Sequence, residues 1–206
     1  MTMEALSDQP GWLAGMAVAP AAYLIGCVST GYYLTRARTG NDIRVMGTGS
    51  SGARNVGRAL GSMGFAVTLA GDLVKGGAAV WLAQAVTGRE WTGLVALLAV
   101  TAGHVWPAQL GFHGGKGVAT SLAALLMYDC WLTGVYLLLF GAGFSLTRRS
   151  VASSVVAYGL LPVASYFSKQ DPAHVWGMAA LAALIFVAHR QNIFRGLRRS
   201  LVMSGL

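Results

Sequence analysis

Val118-Ala-Thr-Ser-Leu-Ala-Ala-Leu-Leu-Met-Tyr128 is an uncharged, mostly apolar run of 11 residues that stops at Asp129. As a helix it would be about 16 Å long, too short to cross a hydrocarbon core of roughly 30 Å unless its ends extend into polar space lined by protein. Further apolar runs cover residues 12–34, 59–86, 91–111, 131–146, 151–167 and 173–188. Whether the short run is a pass of its own or merges with 131–146 decides the topology. Short cytoplasmic loops collect Lys and Arg. Counted separately, the short run makes seven passes with the N-terminus outside. Arg36, Arg38, Arg44, Arg54, Arg58, Lys116, Arg148, Arg149, Arg190, Arg195, Arg198 and Arg199 then share one face. Arg89 and Lys169 lie on the other, beside Glu4, Asp8, Glu90, Asp129 and Asp171. Merging the runs would put Arg148 and Arg149, and then the C-terminal arginines, on the side opposite Lys116 and the arginines of residues 36–58, so the seven-pass reading is preferred. Trp12, Trp91, Trp131 and Trp176 then fall near the outer ends, where amphipathic rings favour the interface.

Composition agrees with a lipid solvent. Of 206 residues 55% are hydrophobic and 11% charged, with mean hydropathy +0.57, a balance a soluble domain could not keep off its surface. The expected fold class is all-α, a polytopic integral membrane protein, with residues 1–206 as one domain. The net charge of +8 suits anionic headgroups and phosphorylated substrates. No nucleic-acid module is recognisable. Cys27 and Cys130 lie in or beside apolar runs and read as buried small hydrophobes, which leaves no disulfide framework and no metal site. The first ten residues carry Glu4 and Asp8 and no Lys or Arg, the reverse of a signal peptide, so the first run reads as a retained helix.

Polar residues inside or between the runs need a reason. Asp72 and Lys75 interrupt the second run at a spacing of three, on one helical face. They read either as a structural ion pair or as lining of a site. Asp129 reads as a turn between short helices. The stretch Asp42-Ile-Arg-Val-Met-Gly-Thr-Gly-Ser-Ser-Gly-Ala-Arg-Asn-Val-Gly-Arg58 has glycines that can turn backbone N–H groups toward an anion, with hydroxyls and arginines as further donors. A Gly/Ser loop can equally be a plain connection. In a second stretch, Gly103-His-Val-Trp-Pro-Ala-Gln-Leu-Gly-Phe-His-Gly-Gly-Lys-Gly-Val-Ala-Thr120, glycines feed a helix N-terminus beside Lys116, an arrangement suited to phosphate. It lacks the Walker A spacing. His104 reads either as a packing residue or as part of the site. In a third, His189-Arg-Gln-Asn-Ile-Phe-Arg195, His189 and Asn192 share a helical face and could aim a proton-transfer group and an amide together. A basic anchor to anionic lipid is the plainer alternative.

Together the three stretches resemble the acyl-phosphate:glycerol-3-phosphate acyltransferases of bacterial phospholipid synthesis. The resemblance rests on Gly103-His-x-Trp-Pro with Phe112-x-Gly-Gly-Lys-Gly-Val-Ala-Thr120, on Asp72-x-x-Lys-Gly76 and on His189-Arg-x-Asn-Ile193. It implies seven helices in the bacterial cytoplasmic (inner) membrane and an active site facing the cytoplasm. It also implies transfer of a fatty acyl group from acyl phosphate to the 1-hydroxyl of sn-glycerol 3-phosphate, without a cofactor. The first motif departs from the family's pattern, with Thr48 where Ser is usual, Ser50 for Asn and Arg54 for Thr.

On this reading Thr48, Arg58, Lys116, His189 and Asn192 carry the reaction. Gly47, Gly49, Ser50, Gly52, Asn55, His104, Gly114, Gly115, Gly117 and Arg190 bind substrate, with N–H groups of Gly47, Gly49, Gly52, Gly114 and Gly115 directed at phosphate. No Ser-His-Asp set or acyl-enzyme cysteine is evident, which favours direct transfer. Two rivals stand: a transporter or lipid-binding protein using the same cationic mouth, and a paralogue that acylates another phosphorylated polyol, suggested by Arg54.

Overall fold

The computed structural model describes residues 11–203. The side chains of residues 11, 12, 14, 15, 169 and 192–203 also fall outside that description, and with them the roles expected of Glu4, Asp8, Trp12, Lys169, Asn192, Arg195, Arg198 and Arg199. The described residues form eight helices and two 3-10 turns, without strands: α1 (Gly11–Cys27), α2 (Thr30–Thr39), α3 (Ala53–Thr87), α4 (Glu90–Val105), α5 (Val118–Tyr128), α6 (Cys130–Thr147), α7 (Ser150–Lys169) and α8 (Pro172–Met203). Six segments among them are long and apolar enough to cross a membrane: Met16–Thr39, Ala53–Thr87, Glu90–Leu110, Cys130–Thr147, Ser150–Ser168 and Pro172–Gln191. The short run is the separate helix α5, and Asp129, with extended backbone, divides it from α6.

The chain forms two compact units, residues 1–130 and 131–206. In the first, glycines let backbones touch. A Cβ on Gly26 would stand 2.2 Å from the Val100 carbonyl oxygen, and one on Gly103 2.1 Å from that of Tyr23, so α1 and α4 meet without intervening side chains. Gly76 of α3 is as close to the Thr120 carbonyl, while Gly93 lies against both Gln84 and Tyr128. Helix α5 therefore runs beside the second half of α3, starting level with Gly76 and ending level with Gln84. That explains its length: it covers about half of a 30 Å core, and the chain leading into it, residues 106–117, lies at the depth of mid-α3.

Two breaks depart from the continuous runs of the sequence. The run 12–34 is not one helix. It stops at Cys27 and restarts at Thr30, and the carbonyls freed there are taken from elsewhere: Val28 O by Lys75 Nζ at 2.7 Å, and Cys27 O by Gln109 Nε2. Helix α3 is bent at Gly61 (φ 75°, ψ −168°), a conformation open essentially to glycine alone. The bend is sharp, since a Cβ on Gly57 would lie 2.9 Å from that of Phe65, whereas eight residues of straight helix span about 12 Å. Residues 53–60, with Arg54 and Arg58, thus form a short helix set at an angle to residues 62–87.

The second unit packs α7 against α8 through Tyr158, Leu161, Met178, Leu181 and Ile185, all fully buried. The Tyr136 hydroxyl on α6 pairs with Ser154 Oγ at 2.9 Å, and its ring tilts onto Tyr158 at 4.5 Å. Trp91, Trp131 and Trp176 are exposed, as rings at an interface should be. Cys27 is buried and Cys130 exposed, so the expectation of two buried thiols holds for Cys27 only.

Replacing Gly76 by Ala should cost roughly 1–3 kcal/mol, because the Thr120 backbone cannot yield to the added methyl. Gly134, where an added Cβ would meet nothing within 4 Å, should accept Ala at no cost or gain up to about 1 kcal/mol of helix propensity. Thermal unfolding in detergent compares the two, and equal melting temperatures would contradict this packing.

Candidate active site

Residues 43–52 and 106–117 of the first unit lie against each other. The Ser51 N–H donates to the Gly114 carbonyl at 3.3 Å. Ser51 is itself held by Gly31, where a Cβ would strike the Ser51 oxygen at 2.1 Å. Each stretch then feeds a helix. Gly52 is the N-cap of α3 and Gly117, with φ 83°, that of α5, and neither supplies a capping side chain. Two positive helix ends thus begin where the two glycine stretches meet. Between positions 36 and 58 the chain carries five arginines and a single acid, Asp42, which makes the surroundings attractive to an anion.

Asn55 organises the first stretch. Its side chain is buried. Its Oδ1 accepts the Thr48 N–H at 2.9 Å, and its Nδ2 donates to the carbonyls of Ile43, Met46 and Ser50 at 3.2, 2.9 and 2.9 Å. The amide is fully committed to the loop it shapes. Gly47 (φ 55°) turns the chain around it, and a Cβ there would lie 2.3 Å from Oδ1. Fully buried Ile43 anchors the base of the turn. Gly47, Thr48 and Gly49 form its exposed tip, and the Thr48 hydroxyl makes no hydrogen bond among the described residues. Ser50 is buried and its Oγ accepts the Gly52 N–H at 3.3 Å.

The second stretch rests on buried charge. Asp72 Oδ1 lies 2.9 Å from Lys75 Nζ and 3.4 Å from His104 Nδ1, and all three side chains are at most 6% exposed. The ion pair expected from the spacing of three is therefore present. His104 sits beneath the glycines: a Cβ on Gly115 would stand 1.9 Å from its Nε2, and its carbonyl accepts the Gly115 N–H at 3.0 Å. Lys116 is half-buried directly after this support.

The expected use of glycine N–H groups needs correction. Those of Gly49, Gly52, Gly114 and Gly115 donate to Met46 O, Ser50 Oγ, Val105 O and His104 O. Backbone turns this tight satisfy their own donors, so these glycines act here by conformation and close approach. Arg54 and Arg58 are both exposed, one turn apart on the short helix after the loop.

In the second unit His189 is buried on α8, and its Nδ1 lies 2.9 Å from the Ile185 carbonyl. A carbonyl can only accept, so Nδ1 carries a proton and donates to it. Arg190 is exposed and donates to the Val187 carbonyl at 3.1 Å. Asn192 is on the same helix with its side chain outside the described residues.

Sequence reading missed Arg44 and Gln109. Arg44 Nε lies 3.0 Å from both oxygens of Asp42, Nη2 is 2.7 Å from Oδ2, and Nη1 donates to the Leu110 carbonyl. The Asp-x-Arg spacing is visible in the sequence, but its reach across 66 residues is not. The Arg44 guanidinium holds the Asp42 carboxyl below the usual carboxylate range, and Asp42 in turn raises Arg44.

Comparison with known proteins gives one answer. Residues 16–199 match the family model described as "Glycerol-3-phosphate acyltransferase". A protein named glycerol-3-phosphate acyltransferase 1, from Desulfitobacterium hafniense (strain Y51), is 40% identical over 179 residues, 87% of this chain and 89% of that one. A glycerol-3-phosphate acyltransferase from Clostridioides difficile (strain 630) is 38% identical over 86% of this chain and 89% of its own. The crystal structure of PlsY, an integral membrane glycerol 3-phosphate acyltransferase, in its glycerol 3-phosphate form superposes with a TM-score of 0.81 at 29% identity, covering 89% of this chain and 92% of that one. Its lysophosphatidic acid form gives 0.77 at 26% identity, with the same coverage.

Two outcomes follow from the loop geometry. Asn55→Ala should abolish most phosphate-dependent function while leaving the helical circular dichroism intact, because four loop hydrogen bonds vanish together. Stability from the Asp42–Arg44 pair, whose carboxyl is shifted down, is fully present above the unfolded value of about 3.9 and lost as pH falls through the lower folded value. Hydrogen exchange of residues 42–52 should therefore be unchanged by this pair between about pH 8 and pH 5; loosening that begins above about pH 5 would contradict it.

Proposed function

Because the chain belongs to the glycerol-3-phosphate acyltransferase family, we propose that it moves a fatty acyl group from acyl phosphate to the 1-hydroxyl of sn-glycerol 3-phosphate, releasing lysophosphatidic acid and phosphate. The observation that carries this reading is the Ser51–Gly114 contact, which joins the Thr48 loop to the loop bearing Lys116 and sets two helix N-termini beside them. One substrate has a lipid tail and the other is water-soluble, yet both present a phosphate. A cationic pair of loops in a membrane protein answers both demands.

The acceptor's hydroxyl oxygen attacks the acyl carbonyl carbon. The new ester C–O bond forms as the bond to the phosphate oxygen breaks, and the electron pair leaves with phosphate. Lys116 and Arg58 neutralise and position the phosphates, and Thr48 directs a hydroxyl toward one of them. Charge stabilisation and alignment supply most of the acceleration, since phosphate is already a good leaving group. The hydroxyl proton passes to His189 or to a phosphate oxygen of the substrate. Asn192 orients a substrate oxygen, and Arg190 adds positive charge near His189. Asn55 and His104 act through the loops they hold, and Gly47, Gly49, Ser50, Gly52, Gly114, Gly115 and Gly117 shape the cradle. Seven crossings including α5, an external N-terminus and loops facing the cytoplasm complete the proposal and rest on the charge distribution; the single-domain reading rests on chain length and the inner membrane on the family.

A second acceptor remains a distinct reading because Arg54 stands exposed one turn from Arg58, where it adds a cation beside the first loop. Purified protein in detergent, given acyl phosphate and labelled glycerol 3-phosphate, should form labelled lysophosphatidic acid. Lys116→Ala and His189→Ala should each lower turnover by about 100-fold or more. Full activity in both variants would remove these residues from the mechanism. Acyl phosphate consumed only with another phosphorylated polyol would favour the second acceptor, and absence of turnover with any acceptor would favour a binding protein.

A further inference from the structure

Arg44 has no part in the proposed reaction, yet all three of its guanidinium nitrogens are engaged. Nε and Nη2 grip Asp42 in a fork at 2.7–3.0 Å, Nη1 donates to Leu110 O, and the guanidinium carbon lies 5.1 Å from the centre of the Tyr32 ring on α2. Asp42 is fixed as well, since its Oδ1 accepts the Arg44 N–H at 2.8 Å and closes the 3-10 turn Ile43–Val45. Arg44's own carbonyl lies 3.2 Å from where a Cβ on Gly49 would be, at the base of the exposed tip. Leu110 ends the 3-10 turn Ala108–Leu110, after which Gly111 and Phe112 both take positive φ and the chain proceeds to Lys116.

The two loops are thus tied at two places, by Ser51–Gly114 and by Arg44–Leu110. A single hydrogen bond leaves the loops free to pivot about it. A second tie removes that freedom and fixes how far the Thr48 tip stands from Lys116. We infer that Arg44 is a positioning residue, a strut between the two loops that sets the affinity of the site for glycerol 3-phosphate. The inference rests on the function proposed above. Glycerol 3-phosphate has no acyl chain to hold it, so its binding depends on polar contacts at the loops, whereas acyl phosphate is also anchored by its tail. Only arginine fits the strut, because a lysine ammonium cannot grip a carboxylate in a fork while reaching a second acceptor.

Steady-state kinetics in detergent tests it, with calorimetric titration of glycerol 3-phosphate alongside so that affinity is readable even if the wild-type protein shows no turnover. Absence of wild-type turnover would count against the proposed function, and the titration would still decide the strut. Arg44→Ala should raise KM and Kd for glycerol 3-phosphate about tenfold, the loss expected of one charge-assisted tie, with kcat changed by less than about threefold and KM for acyl phosphate unaltered. Arg44→Lys should not rescue the defect. Asp42→Asn should weaken binding in the same direction, and the double variant should be no worse than Arg44→Ala, since Asp42 acts through Arg44. Melting temperatures report folding. Unchanged glycerol 3-phosphate affinity in Arg44→Ala would overturn the inference, as would a fall in kcat with both KM values unchanged. Tighter binding in Asp42→Asn would also overturn it, because that result would make Arg44 a phosphate ligand restrained by Asp42.

Discussion

A backbone that leaves the helical state at membrane depth must find hydrogen-bond partners within the protein, because lipid offers none. The first unit meets this constraint at two neighbouring points. The break after Cys27 exposes carbonyls, and Lys75 and Gln109 take two of them. Residues 106–117 lie beside mid-α3, and Tyr23 donates to the Trp106 carbonyl at 2.6 Å while Val105 and His104 accept the N–H groups of Gly114 and Gly115. A buried ammonium requires a counter-charge, so Asp72 stands 2.9 Å from Lys75, and the same carboxylate faces His104, which supports Gly115. The buried charge and the irregular backbone are two sides of one requirement.

That arrangement is what allows polar chemistry in a membrane protein. Glycines at the α1–α4 and α3–α5 contacts bring backbones close enough to enclose the loops, and the short length of α5 follows from starting halfway along α3. Above this floor the first loop is built around the Asn55 amide, whose four hydrogen bonds leave the Thr48 tip exposed. Loops with satisfied backbone and cationic residues within them suit the holding of phosphate, since little need reorganise on binding.

Much of this was legible in the sequence because the physics is local or statistical. Charge sidedness separated α5 from α6, the spacing of three paired Asp72 with Lys75, and glycine before an apolar run marked the start of α5. What escaped was set by distant partners. Nothing near Val28 and Ser29 signals a helix break, since its carbonyls are claimed by residues 47 and 82 positions away. Gly61 is one glycine among 28, and only its φ and ψ reveal the bend. The committed N–H groups of the glycine loops and the span of Arg44 to Leu110 likewise depend on how two loops meet, which one sequence does not disclose.

On the proposed function, the two joined loops of the first unit hold a substrate phosphate. A crystal structure with glycerol 3-phosphate bound tests it most directly. The phosphate should lie within hydrogen-bonding distance of Lys116 and of the Thr48 hydroxyl or the Gly47 N–H, with Arg44 still bridging Asp42 and Leu110. A phosphate bound away from both loops, with the loops otherwise unchanged, would contradict it.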